Sequence, residues 1–270
     1  MTVDEYASFQ QANGMKLTRI DGIWWAEVRL FFYRPLFPFV KIEPNSLKYP
    51  LSFSVGGYKH VVPSEENSNC RMNFFVFDNL QEYSLDILSD KRRNKIRKGE
   101  KHFSLRQLHD AAGFADEGYP IYLSFYRRTR YSYLKDRLKK EYFSKWAKTL
   151  FEHPKVLVLG VYQDNELCAA SVSYFVEDII IDATLFSDEE SQKYQVSDFI
   201  LHQIREAAAF TDAKYIFMGM VTGKRTLDDS KLMRGCKLVK MPAYYRLNPV
   251  ALYFVKAFMK QSYKKINGLT

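Results

Sequence analysis

Cysteine is scarce in this chain: Cys70, Cys168 and Cys236 are all that its 270 residues hold. An odd number at such separations does not build a disulfide framework and suits a reducing compartment. Long apolar runs are missing too. Stretches such as 157–162 and 179–186 have strand length, far short of the ~20 residues a membrane-spanning helix needs. The opening Met1-Thr2-Val3-Asp4-Glu5 lacks the basic-then-apolar layout of a secretion signal. These absences point to a soluble, cytoplasmic protein. Five histidines (His60, His102, His109, His153, His202) show no metal spacing with each other or with the cysteines, so neither a metal nor a Cys–His nucleophile is expected. No internal repeat or low-complexity tract interrupts the chain.

What the chain does have is localised positive charge. Its formal net charge is +9, and residues 89–148 hold 17 basic against 7 acidic side chains. The remaining 210 residues are nearly balanced, with 23 basic and 24 acidic. Charge concentrated in this way is a local field that holds or steers a polyanion. Hydrophobic residues make up 47% and aromatics 16%, enough for one large core or two lobes of ordinary size.

The first 80 or so residues read as strand-rich after a short helix near 4–11. β-formers cluster at 24–29, 52–55 and 73–77, between prolines and Gly56-Gly57. Next, Ser89 as N-cap and Asp90 in the first turn open a basic helix in which Ile96 is the one apolar residue before Gly99. Residues 118–150 read as one or two helices, with Leu134, Leu138, Tyr142, Trp146 and Leu150 at helical spacing. The composition Gln163-Asp164-Asn165-Glu166 predicts a hairpin joining 156–162 to 167–175, followed by a strand at 179–186. A helix over 197–210, capped by Ser197 and turning Ile200, Ile204, Ala207 and Ala208 inward, provides a crossover to a strand at 214–220. A short helix at 227–234, stopped by Gly235, precedes a strand at 236–247 that closes the sheet.

That order of elements over 118–249, with strand, short helix, Gly235-Cys236 and Pro242-Ala243-Tyr244-Tyr245 in succession, resembles a GNAT-type acyltransferase domain. The upstream stretch from Leu88-Ser89-Asp90 through Lys91-Arg92-Arg93-Asn94-Lys95-Ile96-Arg97-Lys98 resembles the basic helix of the Fem-type branch, the peptidoglycan-bridge aminoacyl transferases and their relatives. The resemblance implies an α/β fold with mixed α+β sheets. A GNAT-like C-terminal lobe would follow a strand-rich, degenerate GNAT-like N-terminal lobe. The expected division is 1–110, 111–249 and a C-terminal basic amphipathic helix at 250–270. It further implies an N-acyltransferase that moves an acyl or aminoacyl group from acyl-CoA or aminoacyl-tRNA to an amine, with no resident cofactor and tRNA as a possible partner. Two departures stand out. The glycine-rich turn with which CoA-using members grip pyrophosphate is replaced by Lys193-Tyr194-Gln195-Val196-Ser197-Asp198, which has no glycine and carries an acid. Fem-type enzymes are also usually longer and bear a helical arm.

In such a fold, two neighbouring strands splay and offer backbone N–H groups to a donor carbonyl. Here they would be 179–186 and 214–220. A nearby carboxylate would be the general base, with Asp182, Glu177 and Asp178 as candidates; a turn-forming or solvent-facing role is the alternative for each. Tyr245 or Tyr244 falls in the family position of the leaving-group acid, or simply packs. Donor contacts would come from Phe186, Gln195, Val196, Ser197, Met218, Gly219 and Arg225. Polyanion contacts would come from Lys91, Arg92, Arg93, Lys95, Arg97, Arg127 and Arg128, the last two within the aromatic–basic run 125–133. A non-catalytic GNAT-like scaffold that binds nucleic acid through 89–148 is the rival function. Gly219–Thr226 falls one residue short of a phosphate-binding Gly-Lys-Thr loop and has Arg225 where the hydroxyl belongs. The tail at 250–265 is expected to pack Val250, Tyr253, Phe254, Ala257 and Phe258 against the sheet; lying on an anionic membrane is the alternative.

Overall fold

A computed structural model describes residues 1–44, 46–129 and 134–268. In chain order the helices and strands are α1 (Val3–Ala12), β1 (Leu17–Ile20), β2 (Ile23–Arg29), β3 (Phe32–Pro35), α2 (Leu51–Val55), β4 (Gly57–Val61) and β5 (Cys70–Phe77). There follow α3 (Asp90–Glu100), β6 (Ser104–Gln107), α4 (Ala111–Thr129), α5 (Lys140–Phe151), β7 (Val156–Gln163), β8 (Glu166–Val176) and β9 (Ile179–Ser187). The last are α6 (Glu189–Lys193), α7 (Val196–Ala209), β10 (Tyr215–Met220), α8 (Arg225–Met233), β11 (Lys237–Leu247), α9 (Pro249–Phe258) and α10 (Lys260–Asn267). Among the described residues no helix is long and apolar enough to cross a membrane.

Two compact units emerge. Unit 1 holds Met1 and residues 77–218; unit 2 holds residues 2–76 and 219–270. This division differs from the expected 1–110, 111–249 and 250–270. The basic helix α3 belongs to unit 1, and β11 with the tail joins the N-terminal strands. The cause is pairing: β11 runs antiparallel to β4 on one side (Tyr245↔Lys59) and to β5 on the other (Val239↔Phe74). The expected closure of a C-terminal sheet by 236–247 is thus corrected.

In unit 1 the strand order is β6-β7-β8-β9-β10. The β7–β8 hairpin turns on Asp164 and Asn165, at φ 51° and 67°. Two successive left-handed residues match the twist of the flanking strands, and the Asp-Asn pair tolerates them. β10 joins β9 in parallel, so α7 is a true crossover helix. Apolar residues of α4 and α5 meet β9 in an aromatic cluster in which Tyr122 and Phe143 are both within 6.4 Å, centroid to centroid, of Phe186. In α5 the buried residues are Phe143, Trp146, Ala147 and Leu150: Trp146 and Leu150 of the expected stripe turn inward, whereas Leu134 and Tyr142 are both 46% exposed. Arg137 stacks 4.0 Å over Trp146, so part of the basic window is spent on packing. Residues 130–133 of the aromatic–basic run lie outside the described residues.

Unit 2 orders its strands β1-β2-β3-β4-β11-β5. Its core is aromatic. Trp25 is fully buried and meets Tyr49, Phe53 and Tyr58 edge-on, while Tyr33 stacks on Phe53 at 3.8 Å. Phe53 lies on α2, not on the strand expected at 52–55: a five-residue helix turns its one large ring into the core. Thr2 and Glu5 close a capping box at the start of α1.

α3 lies along α7, and Gly99 permits the approach: a Cβ there would stand 2.7 Å from Cβ of Phe199. Overpacking of this kind costs about 1–3 kcal/mol, so Gly99→Val should lower the denaturant midpoint accordingly; an unchanged midpoint would show that the two helices separate freely.

Candidate active site

The β9–β10 ladder is short. Tyr215 pairs with Ile179, Ile216 with Ile180 and Phe217 with Ile181, and there the register ends. β9 continues to Ser187 and β10 to Met218 and beyond, so the strands part after three pairs. The closed end is fixed: Lys214 donates its backbone N–H to Asp178 O at 2.8 Å, and its ammonium lies 2.5 Å from the Asp178 carboxylate. On the other side of β9 the register with β8 slips between Val172↔Thr184 and Ser173↔Asp182, leaving Ala183 as an inserted residue. A bulge bends and twists its strand, and here it sits just where β9 leaves β10.

Asp182 and Met218 are the first residues past the last ladder pair. Ser171 on β8 donates its hydroxyl to Asp182 Oδ1 at 3.3 Å. Ser173, directly opposite Asp182, buries an Oγ that has no hydrogen-bond partner. Because β9 lies between β8 and β10, Asp182 is not on an edge strand. Glu177 is placed differently. It is exposed at φ 49° in the β8–β9 turn, at the end where the ladder is closed. Asp178 there is the clamp on Lys214, so neither candidate stands at the splay.

A second polar group gathers where β9 ends. Arg128, from the last turn of α4, donates Nη2 to Ser187 O at 3.2 Å and lies 3.4 Å from its hydroxyl. Gln192 Nε2 reaches Ser187 Oγ at 2.5 Å and Ser197 Oγ at 3.0 Å. Ser197 is in the first turn of α7, whose N-cap is Gln195 at φ 68°, with no side chain capping the helix; Ser197 is not the cap. Val196 is fully buried, and so is the Phe186 ring, which leaves those two only backbone to offer a donor. An uncapped helix N-terminus beside a guanidinium favours an anion. Arg128, one of the residues expected to contact a polyanion, is held at this corner. Ser187, Gln192 and Ser171 carry no signal in the sequence, because nothing but topology brings strand end and helix start together.

Asp198 does not confront an anion here. Its carboxylate is buried against Arg92 of α3, so the acid in the first turn of α7 is already neutralised. Arg93 is likewise taken, by Asp90 and by the carbonyls of Asp86 and Leu88. Of the expected polyanion contacts, Lys91, Arg97 and Arg127 are exposed and Lys95 half-buried. Below this contact, His202 of α7 is 2% exposed, with Nδ1 2.9 Å from the Tyr83 hydroxyl and Nε2 facing Glu206 at 3.3 Å and Glu100 at 3.6 Å. Burial pushes its pKa down, and the two carboxylates partly oppose this.

The remaining expected residues lie in unit 2. Tyr245 on β11 exchanges backbone hydrogen bonds with the Asn69 amide, and burial, then Tyr263 and Cys70, raise its phenol pKa. Tyr244 packs near Tyr58 and His60. Arg225 is exposed, paired with Asp229. Gly219 adopts φ 93°. The Gly-Lys-Thr-like loop is closed by its own acid: Asp228 accepts from the Thr222 and Gly223 amides and the Thr222 hydroxyl, filling the concavity a phosphate would need. Among the described residues no group of three or more His, Cys, Asp or Glu could hold a metal.

Removing Arg92 (Arg92→Met) should cost about 3–5 kcal/mol in denaturant unfolding by stranding a buried carboxylate, and adding Asp198→Leu should restore most of it. For His202 the pKa is lowered in the fold, so its contribution is fully present above the ordinary value of about 6.5 and is lost as pH falls through it. Tm should therefore fall from about pH 7.5 to about pH 5.5, and His202→Gln should fall less steeply; parallel curves would remove His202 from the pH response.

No protein-family model and no curated protein matches this sequence. Solved structures do. The C-terminal domain of a protein described as a lysylphosphatidylglycerol synthetase from Agrobacterium fabrum aligns over 96% of this chain and 91% of its own, at 8% identity and TM-score 0.61. L-PGS from Bacillus licheniformis aligns over 98% and 96%, at 11% identity and TM-score 0.59. FemX aligns over 69% of this chain and 63% of its own, at 9% identity and TM-score 0.53. With two mixed-sheet units and a splayed strand pair already established, these likenesses identify the architecture: the chain shares the fold of FemX, of the synthetase domain and of L-PGS.

Proposed function

We propose that this protein is an acyltransferase that moves an aminoacyl or other acyl group from a phosphate-bearing activated donor to an amine by direct attack. The observation that carries the reading is the end of the β9–β10 ladder after three residue pairs. Past that point the register of β9 with β10 ends, and backbone amides of β9 there polarise a donor carbonyl as an oxyanion hole does. Asp182, at the mouth and oriented by Ser171, takes the proton from the attacking amine. The nitrogen forms the new bond to the carbonyl carbon, and the leaving group departs with the electron pair. Arg128, the start of α7 and the Ser187–Gln192–Ser197 group hold the donor's phosphate. Tyr245, Gly219 and Arg225, in unit 2, take no role in this reading.

An aminoacyl donor is favoured over acyl-CoA. Gln195 occupies a left-handed position where a glycine turn would expose bare amides, and residues 193–197 all carry side chains. One of the solved structures of like fold is named for making lysylphosphatidylglycerol, a product that bears an aminoacyl group. The rival reading, a non-catalytic nucleic-acid binder, draws support from the exposed Lys91, Arg97 and Arg127.

A thermal-shift screen with acetyl-CoA, longer acyl-CoAs and aminoacyl-tRNA separates these readings, since a true donor raises Tm by mass action. With the donor so found, Asp182→Asn should lower kcat by about 10²-fold or more with donor Kd unchanged, as expected for loss of a general base. Arg128→Ala should weaken the donor several-fold and leave kcat largely intact. Nucleic-acid binding that collapses with salt, without any transfer, would instead establish the rival.

A further inference from the structure

The last acidic residue of the chain is Asp229; the 41 residues from 230 to 270 hold nine basic side chains and no acidic one. This second basic stretch is masked in the overall balance by the acid-rich remainder. It includes α9 and α10, and α9 does not pack as its sequence suggests. The stripe expected to face the sheet is turned outward: Val250 is 77% exposed, Tyr253 72% and Phe258 71%. Ala257 is exposed as well, whereas Ala251, Leu252 and Val255 on the other face are half-buried. (The Phe254 side chain lies outside what is described.)

The outward stripe is not isolated. Asn248, at the start of α9, donates its side-chain amide to Ser54 O at 3.1 Å and its backbone N–H to Gly56 O at 2.9 Å, which ties α9 to the end of α2. Gly57 N–H in turn donates to Phe31 O in the β2–β3 turn at 3.0 Å. On these joined pieces Leu51 is 82% exposed and Leu30 76%. Three segments of unit 2 joined by these hydrogen bonds therefore each present large apolar side chains to water, an arrangement that marks an interaction surface. Arg246, Lys256, Lys260 and Lys264, all exposed, accompany them.

We propose that this face of unit 2 docks on an anionic lipid surface. Leu51, Val250 and Tyr253 enter the boundary between headgroups and acyl chains, while Lys256, Lys260 and Lys264 meet lipid phosphates. Charge selects this occupant: every titratable side chain of α9 and α10 other than Tyr253 and Tyr263 is a lysine, and anionic headgroups supply the complement. The docking is independent of any transferase activity, because it uses neither the splay nor Arg128.

The test is co-sedimentation of the full chain with vesicles of phosphatidylcholine alone and of phosphatidylcholine with phosphatidylserine, with no donor or acceptor present. Binding should require phosphatidylserine and weaken as salt screens the lysines. The variant carrying Leu51→Asp, Val250→Asp and Tyr253→Asp should bind about tenfold less while keeping the parent Tm, since all three side chains already face water. Lys256→Glu with Lys260→Glu should abolish the preference for the anionic lipid. Should the triple variant lose stability, Leu51→Asp alone serves, with a smaller loss expected. Equal binding to both vesicle types, or full binding by a folded triple variant, would overturn the proposal. So would sedimentation velocity showing a self-association that the triple variant removes, without vesicle binding, because the face would then join two copies of the chain.

Discussion

A parallel ladder three residues long, closed at one end and released at the other, is what the chemistry proposed for unit 1 rests on. Lys214 clamps Asp178 where β9 and β10 begin, and the Ala183 bulge turns β9 away just beyond the last pair. Without the clamp the strands would have no fixed origin. Without the bulge, pairing could continue toward the end of β9 and satisfy the amides that the proposed mechanism offers to a carbonyl. The parting of the strands is thus a backbone feature first, and the side chains Asp182, Ser171 and Ser173 lie beside it.

Charge has a divided role. Part of the basic window that dominates the sequence is structural once folded. Arg92 neutralises buried Asp198, Arg93 holds the chain ahead of α3, and Arg137 lies on Trp146. Arg128 is drawn to the end of β9. A guanidinium suits such posts because it is planar, weakly hydrated and able to hold several acceptors at once. Lysines, by contrast, stay largely in water here. Among the described residues, buried Lys59 is the exception. It donates to Arg71 O and Ile266 O, at 2.7 and 2.6 Å, and burial brings its pKa down to about 8. The chain therefore anchors the end of α10 with a desolvated cation while leaving the outer face of α9 uncovered.

Several sequence expectations hold because local physics decides them. The Asp164-Asn165 hairpin, the stop at Gly235 (φ 89°), the basic helix with Ile96 as its buried residue, and the crossover helix feeding a parallel strand all appear where periodicity and turn chemistry put them. Others fail where local signals are weak. Five residues at 52–55 and its neighbour carry β-formers yet coil into α2, because Phe53 is needed in the aromatic core. The start of α7 shifts to Gln195, since a left-handed residue after α6 sets the helix direction before Ser197 is reached.

By itself, then, the order of residues determined the succession of strands and helices in the second half, the likeness to an acyltransferase fold, and Asp182 as a carboxylate within an apolar strand. These follow from periods of two and 3.6 residues and from turn residues, which act over a few positions. Tertiary structure alone decided that β11 pairs with β4 and β5, that Arg92 cancels Asp198, that Glu177 stands at the closed end, and that the apolar stripe of α9 faces outward. Each of these depends on partners tens to hundreds of residues apart in the chain, where burial and pairing, not local preference, choose which face and which charge is used.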